Sequence, residues 1–155
     1  MKGNITGFTI RIYGLLIEDD NILLSRETIG TVSFTKFPGG GLEFGEGMKE
    51  CLSREFKEEI ETDIEVGNHF YTTDFFQQSG FKPTDQLISV YFLVKLIGEI
   101  PQQKFLEFSL DNDGHIERMQ LMWKPITELT ENDVTFPIDK HVIKMLCSSH
   151  KKLST

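Results

Sequence analysis

Apolar and polar positions along the chain change period several times, and each change predicts an element. Phe8 to Ile17 is dense in β-branched and aromatic residues, runs into the turn cluster Glu18-Asp19-Asp20-Asn21, and resumes at Ile22 to Leu24, the pattern of a hairpin. Arg26 to Lys36 has no sustained period and reads as a loop. Phe37-Pro38-Gly39-Gly40-Gly41 follows, a proline and three glycines able to turn sharply and approach a ligand closely. Met48, Leu52, Phe56 and Ile60 then recur at helical spacing and predict a helix from about Gly47 to Ile60, ending near Thr62-Asp63. Ile64 to Phe76 and Leu87 to Ile97 read as strands, the second apolar enough to be central, with a polar loop from Gln77 to Asp85 between them. Pro101 to Gly114 is irregular and acidic, Ile116 to Trp123 reads as a strand, and Pro125 opens a short helical turn. An amphipathic helix from about Pro137 to Cys147 closes the pattern, and the tail Ser148 to Thr155 is expected to fray. A β-rich chain interrupted by one helix and closed by another predicts an α/β fold, a mixed sheet with helices on both faces. No repeat or linker divides the 155 residues, so one domain is expected, with its core at about 5–148 and a frayed 149–155.

Composition adds limits. The formal net charge of -8 argues against a large phosphate-backbone footprint, so no nucleic-acid polymer is expected as partner. A small phosphorylated substrate escorted by a divalent cation remains compatible. Cys51 and Cys147 form no disulfide framework and no zinc-binding series. No leader pattern opens the chain and no stretch is long and apolar enough for a membrane span, so a cytoplasmic location and no membrane partner are the expectation.

The chemistry concentrates between Gly39 and Asp63. On a helix, residues three and four apart are neighbours, so Glu55, Glu58 and Glu59 cluster, with Glu58 turned about 60° from Glu55. Glu59 points partly toward the apolar stripe, where a carboxylate is unfavourable without a compensating cation. Hard oxygen ligands of this kind suit Mg²⁺ or Mn²⁺, and the glycine turn offers backbone carbonyls or amides beside them. Glu46 falls at the helix start, and Arg54 is placed to brace the glutamates through a bidentate pair. A solvated acidic helix face is the plainer alternative.

This stretch resembles the signature of the Nudix hydrolase family. Gly40, Glu46, Arg54, Glu55, Phe56, Glu58 and Glu59 stand at its fixed spacings, whereas Glu61 replaces the closing glycine and Thr62 an apolar residue. The resemblance implies a Nudix-like α/β/α sandwich and hydrolysis of a diphosphate linkage in a nucleoside triphosphate or nucleoside-diphosphate derivative. It implies Glu55, Glu58 and Glu59 holding Mg²⁺ with the Gly39 or Gly40 carbonyl, Arg54 orienting Glu55 or its neighbours, and Glu46 assisting. Glu55 is ligand or base; the base otherwise comes from Glu107, Asp111, Asp113 or Glu117. Lys36 and Arg26, close to the glycine turn, are candidates to meet a phosphate, and Phe75 and Phe81 to stack on a base. Solvated surface and sheet packing are the plainer readings of these four. The substrate expectation is a nucleotide-like small molecule, first an oxidised or non-standard nucleoside triphosphate, with ADP-ribose or a nucleotide sugar as the alternative. A non-catalytic nucleotide sensor is a different class, disfavoured by the retained carboxylates. A homodimer is a family-level expectation.

Overall fold

The structure is a computed structural model that describes residues 3–107, 109–110 and 116–153, the side chains of 109, 110, 116, 117 and 153 excepted. Among the described residues nine strands form: β1 (Gly7–Glu18), β2 (Asn21–Ile29), β3 (Val32–Lys36), β4 (Gly39–Gly41), β5 (Ile64–Thr72), β6 (Asp85–Leu96), β7 (Ser109–Leu110), β8 (Ile116–Glu117) and β9 (Met119–Pro125). Two α-helices join them, α1 (Met48–Glu55) and α2 (Pro137–Leu153).

A seven-stranded mixed sheet runs in the order β3-β2-β1-β6-β5, with β4 added to β1 and β9 to β2. β1 and β6 pair in parallel, from Gly7 opposite Asp85 to Leu16 opposite Val94, while the other pairings are antiparallel. β1 is nearly all apolar because both of its faces are covered. Ile12 and Leu16 pack with Leu52, Phe56 and Ile60 beneath α1. Tyr13 and Leu15 pack with Ile138, Val142 and Leu146 of α2 on the opposite side. Strand alternation thus sends successive residues into two cores, the expected α/β/α arrangement. Each fully buried side chain of the α1 stripe contributes about 1.5–3 kcal/mol to holding the helix in place.

The segment expected to be a loop, Arg26 to Lys36, is instead the end of β2, a turn with Gly30 at φ 61° and all of β3. Its polar residues hide the period of two. β2 is held in register from both sides, by β3 and by β9, and such neighbours are invisible in a local window. After Glu55 the expected helix widens into a π-helical turn, Phe56–Ile60, which ends at Glu61 in the left-handed region, φ 57° and ψ 40°. Glu61 therefore adopts the conformation for which a glycine would ordinarily be chosen, and its carboxylate pairs with the buried Lys104 at 3.3 Å. α2 continues through the stretch expected to fray, to Leu153. Among the described residues no helix is long and apolar enough to cross a membrane.

Candidate active site

β4 is three glycines laid against the middle of β1, with Gly39 opposite Tyr13 and Gly40 opposite Ile12. Gly39 has φ 147°, and a Cβ there would lie 2.1 Å from the Ile12 carbonyl oxygen. A Cβ on Gly40 would lie 2.4 Å from the Glu55 carboxyl carbon, so the second glycine leaves room for a carboxylate from α1. The glycine run is needed for two separate reasons, one backbone and one side chain.

Arg54 organises the acidic groups around this turn. Its Nε and Nη2 donate to the two oxygens of Glu46 at 2.9 and 2.7 Å, a bidentate pair. Nη1 donates to Glu55 at 3.0 Å and to Glu58 at 3.2 Å, and Nη2 also reaches the Gly41 carbonyl at 3.1 Å. The Arg54 bonds, followed by the Glu43 backbone N–H, hold the Glu46 carboxyl down at about 2. Cys51 lies buried beneath this network; burial first and Glu46 second push its thiol up to about 12, too high for a nucleophile near neutrality.

Glu59 behaves differently. Burial pushes its carboxyl up to about 7 despite the nearby Lys36; Glu55 and Glu27, and a hydrogen bond shared with Glu55, act in the same direction as burial. Two carboxyls in hydrogen-bond contact away from bulk water need a proton or a cation between them. An all-oxygen donor set of this kind fits a hard divalent ion. The Glu55 side chain is 11% exposed, whereas Glu58 is 60% exposed and turned toward Arg54. Accordingly, among the described residues no three such side chains already converge on one point. Glu55 and Glu59 are the pair that could hold a metal, with Glu58 within reach on the next turn face.

Lys36, only 4% exposed, separates this cluster from a cavity of about 430 Å³. Its Nζ lies 3.2 Å from both the Gly39 carbonyl and a Glu27 carboxylate oxygen. Phe34, Phe81 and Phe136 form one wall, with ring centroids 5.4–6.1 Å apart. The loop carrying Phe81 is pinned through the buried Asp85, which accepts from Thr9 at 2.6 Å and pairs with Lys82 at 3.2 Å. Arg11, Tyr13, Ser89, Tyr91 and Asp139 lie deeper.

Of the sequence-derived substrate residues, Lys36 and Phe81 line this cavity, and Arg26 and Phe75 do not. Arg26 alternates with the cavity-lining Glu27 along β2 and so projects into solvent. Phe75 lies beyond the end of β5, against His141 of α2 at 5.9 Å. Glu107 is exposed. Asp111 and Asp113 lie outside the described residues, as does the side chain of Glu117. Arg11, Phe34, Phe136 and Asp139 were not singled out from sequence. A lone arginine inside the apolar run Phe8–Ile17 was the one available signal.

Comparison with known proteins follows the same lines. The NUDIX domain family model matches residues 8–146. An RNA pyrophosphohydrolase of a Nitratiruptor species is 46% identical over 67 residues, which is 39% of this chain; the match spans 43% of that relative's length. Among solved structures, the MutT protein from Methanosarcina mazei Go1 superimposes with a TM-score of 0.68 at 17% identity, covering 94% of this chain and 97% of that one. A NUDIX hydrolase from Nitrosomonas europaea gives 0.67 at 20% identity over 88% and 86%. An ADP-ribose pyrophosphatase from Streptococcus suis 89-1591 gives 0.60 at 19% identity over 92% and 91%. These three similarities establish the α/β fold.

Proposed function

The chain belongs to the NUDIX family, and from that premise we propose that it is a pyrophosphohydrolase that cleaves a diphosphate linkage in a nucleoside triphosphate. Oxidised or otherwise non-standard nucleotides are its first substrate class, and magnesium is its ion, with manganese able to substitute. The observation that carries the reading is the Glu55–Glu59 pair beside Gly40, separated by Lys36 from an aromatic-walled cavity. A diphosphate lying over the glycine turn would put its charged part at the carboxylates and its base in the cavity.

Glu55 and Glu59 would hold the cation, with Glu58 joining on release from Arg54 and a carbonyl of Gly39 or Gly40 completing the oxygen set. When bound, the cation neutralises the diphosphate and lowers the pKa of the attacking water. Arg54 fixes the Glu55 carboxylate through Nη1 and is itself fixed by the Glu46 fork, so both stay oriented as charge moves. Lys36 is positioned to meet a phosphate oxygen at the cavity mouth by exchanging its Gly39 contact. Glu59, its carboxyl raised to about 7 by burial, would give up its proton to serve as a ligand.

A second reading, removal of diphosphate from an RNA 5′ end, is favoured by the partial match to the RNA pyrophosphohydrolase. One panel tests both: product release from standard and oxidised nucleoside triphosphates, ADP-ribose, nucleotide sugars and a 5′-triphosphorylated RNA oligonucleotide, with and without Mg²⁺, using E59Q as control. Metal-dependent turnover of nucleoside triphosphates, lost in E59Q, is the expected result. Turnover of the RNA alone selects the second reading, and turnover of the ADP-ribose or sugar nucleotides alone selects that class. A folded protein that hydrolyses nothing in the panel overturns the proposal.

A further inference from the structure

Arg11 and Asp139 carry opposite charges in the same cavity, yet no ion pair joins them among the described residues. Each is instead anchored by a tyrosine. Arg11 Nε donates to the Tyr13 hydroxyl at 2.6 Å, and the Tyr91 hydroxyl donates to Asp139 Oδ1 at 2.5 Å. The two tyrosine rings lie 5.3 Å apart, so the anchors are neighbours on the cavity floor. The Arg11 Nη groups and Asp139 Oδ2 have no further hydrogen-bond partner among the described residues. They are also absent from the buried atoms left without one, which are Ser25 Oγ and Thr62 Oγ1. The spare donors and the spare acceptor therefore face the cavity.

Asp139 is only 2% exposed, and burial pushes its carboxyl up to about 6 against the pull of Tyr91, Lys36 and Arg11. Near neutral pH it remains mostly ionised and accepts hydrogen bonds only. A buried carboxylate with one free oxygen is unfavourable for folding, which points to a ligand.

We propose that Arg11 and Asp139 read one edge of the nucleobase and select a 6-oxopurine, Arg11 donating to O6 and Asp139 accepting from N1–H. This rests on the pyrophosphohydrolase reading and specifies its substrate. The three phenylalanines of the wall suit a flat bicyclic ring. Guanine, hypoxanthine, xanthine and their 8-oxidised forms share the O6 and N1–H edge. Adenine inverts it: its 6-amino donor would face the guanidinium, and its N1 lone pair would face the carboxylate. A cytosine or uracil ring leaves part of the wall uncovered.

IMP and AMP differ at this edge alone. Their affinities for wild-type protein, measured by calorimetry without metal, test the reading independently of turnover. ITP and ATP compared by kcat/KM with Mg²⁺ supply the second arm. Wild type is expected to favour IMP and ITP by ~10- to 100-fold. D139N, which keeps an oxygen for Tyr91 but offers an amide N–H₂ to the ring, is expected to bring both ratios close to one. R11Q is expected to do the same, with R11K, which keeps the charge and loses the fork, as its substitute should R11Q fail to fold. The readout is a ratio between two bases, which a general loss of metal binding leaves unchanged. A wild-type preference for AMP, equal binding of the two, or ratios that survive in both folded variants would overturn the proposal. Hydrolysis without base preference sinks this inference and spares the proposed function; a preference for IMP without hydrolysis of any triphosphate does the reverse.

Discussion

Replacing Gly40 by alanine puts a methyl group where the Glu55 carboxylate sits. The new Cβ would lie 2.4 Å from the carboxyl carbon and from Oε1, and 2.6 Å from Oε2. Ordinary contact starts near 3.4 Å, so the carboxylate must retreat by about 1 Å. β4 cannot retreat instead, because it is paired to β1 through Gly39, Gly40 and Gly41. The retreat separates Glu55 from Arg54 Nη1, now at 3.0 Å, and from Glu59. A displacement of about 1 Å in a group that positions reacting atoms lowers the rate roughly 100-fold, about 2.7 kcal/mol of transition-state stabilisation. The effect on stability should be modest, an overpacking penalty of ~1–3 kcal/mol offset by the ~0.4–1 kcal/mol that alanine contributes by restricting the unfolded chain. The assay is metal-dependent diphosphate hydrolysis, kcat/KM and apparent Mg²⁺ affinity, alongside thermal unfolding. G41A is the matched control from the same strand, since a Cβ there meets nothing within 4 Å. Wild-type kcat/KM in folded G40A, or equal losses in G40A and G41A, would refute the assignment of Glu55 to the metal site through this contact.

Arg54→Lys keeps the charge and loses the fork; kcat should fall ~10- to 100-fold, with KM little changed and the Glu46 carboxyl rising from about 2 toward the ordinary carboxylate range, read by kinetics and carboxyl NMR. Glu59 sets a pH dependence. Because its folded value is raised, from 4.5 to about 7, the metal-free protein gains stability from this group at low pH and loses it as pH rises through that window. Mg²⁺ competes with the same proton, so its affinity should climb from pH 5 to pH 7 with proton release detectable by calorimetry; a flat profile would exclude Glu59 as ligand. At Glu61, E61G relieves a left-handed residue by ~1–2 kcal/mol and loses the Lys104 pair, whereas E61Q loses the pair without relief. E61G should therefore unfold at a higher temperature than E61Q, and the opposite order would show that the left-handed conformation carries no strain.

Where a feature depends on residues within one or two turns of each other, the sequence alone determined it. Leu52, Phe56 and Ile60 formed the expected apolar stripe, although Met48, expected to head it, is 42% exposed, and the same helical spacing gathered Glu55, Glu58 and Glu59 on the adjoining face, with Arg54 and Glu46 a fixed distance behind. Phe8–Ile17 was read as a strand of a hairpin and Leu87–Ile97 as a central strand, and β1 and β6 form there. Helical spacing already pairs Glu55 with Glu59 and Arg54 with Glu58, each four residues apart. Tertiary structure decided their surroundings: Glu59 is buried beside Lys36 and Glu27, and Gly40 of β4 leaves room for the Glu55 carboxylate. β2 and β3 were missed over Arg26 to Lys36 because their order comes from pairing, β2 between β3 and β9 and the edge strand β3 against β2, and not from their own pattern. The cavity was least legible of all. Arg11, Phe34, Tyr91 and Asp139 are distant in the chain, and apart from the arginine inside an apolar run each is ordinary in its own window. Only the parallel pairing of β1 with β6, and the packing of α2 across that sheet, set a guanidinium and a carboxylate beside the same space.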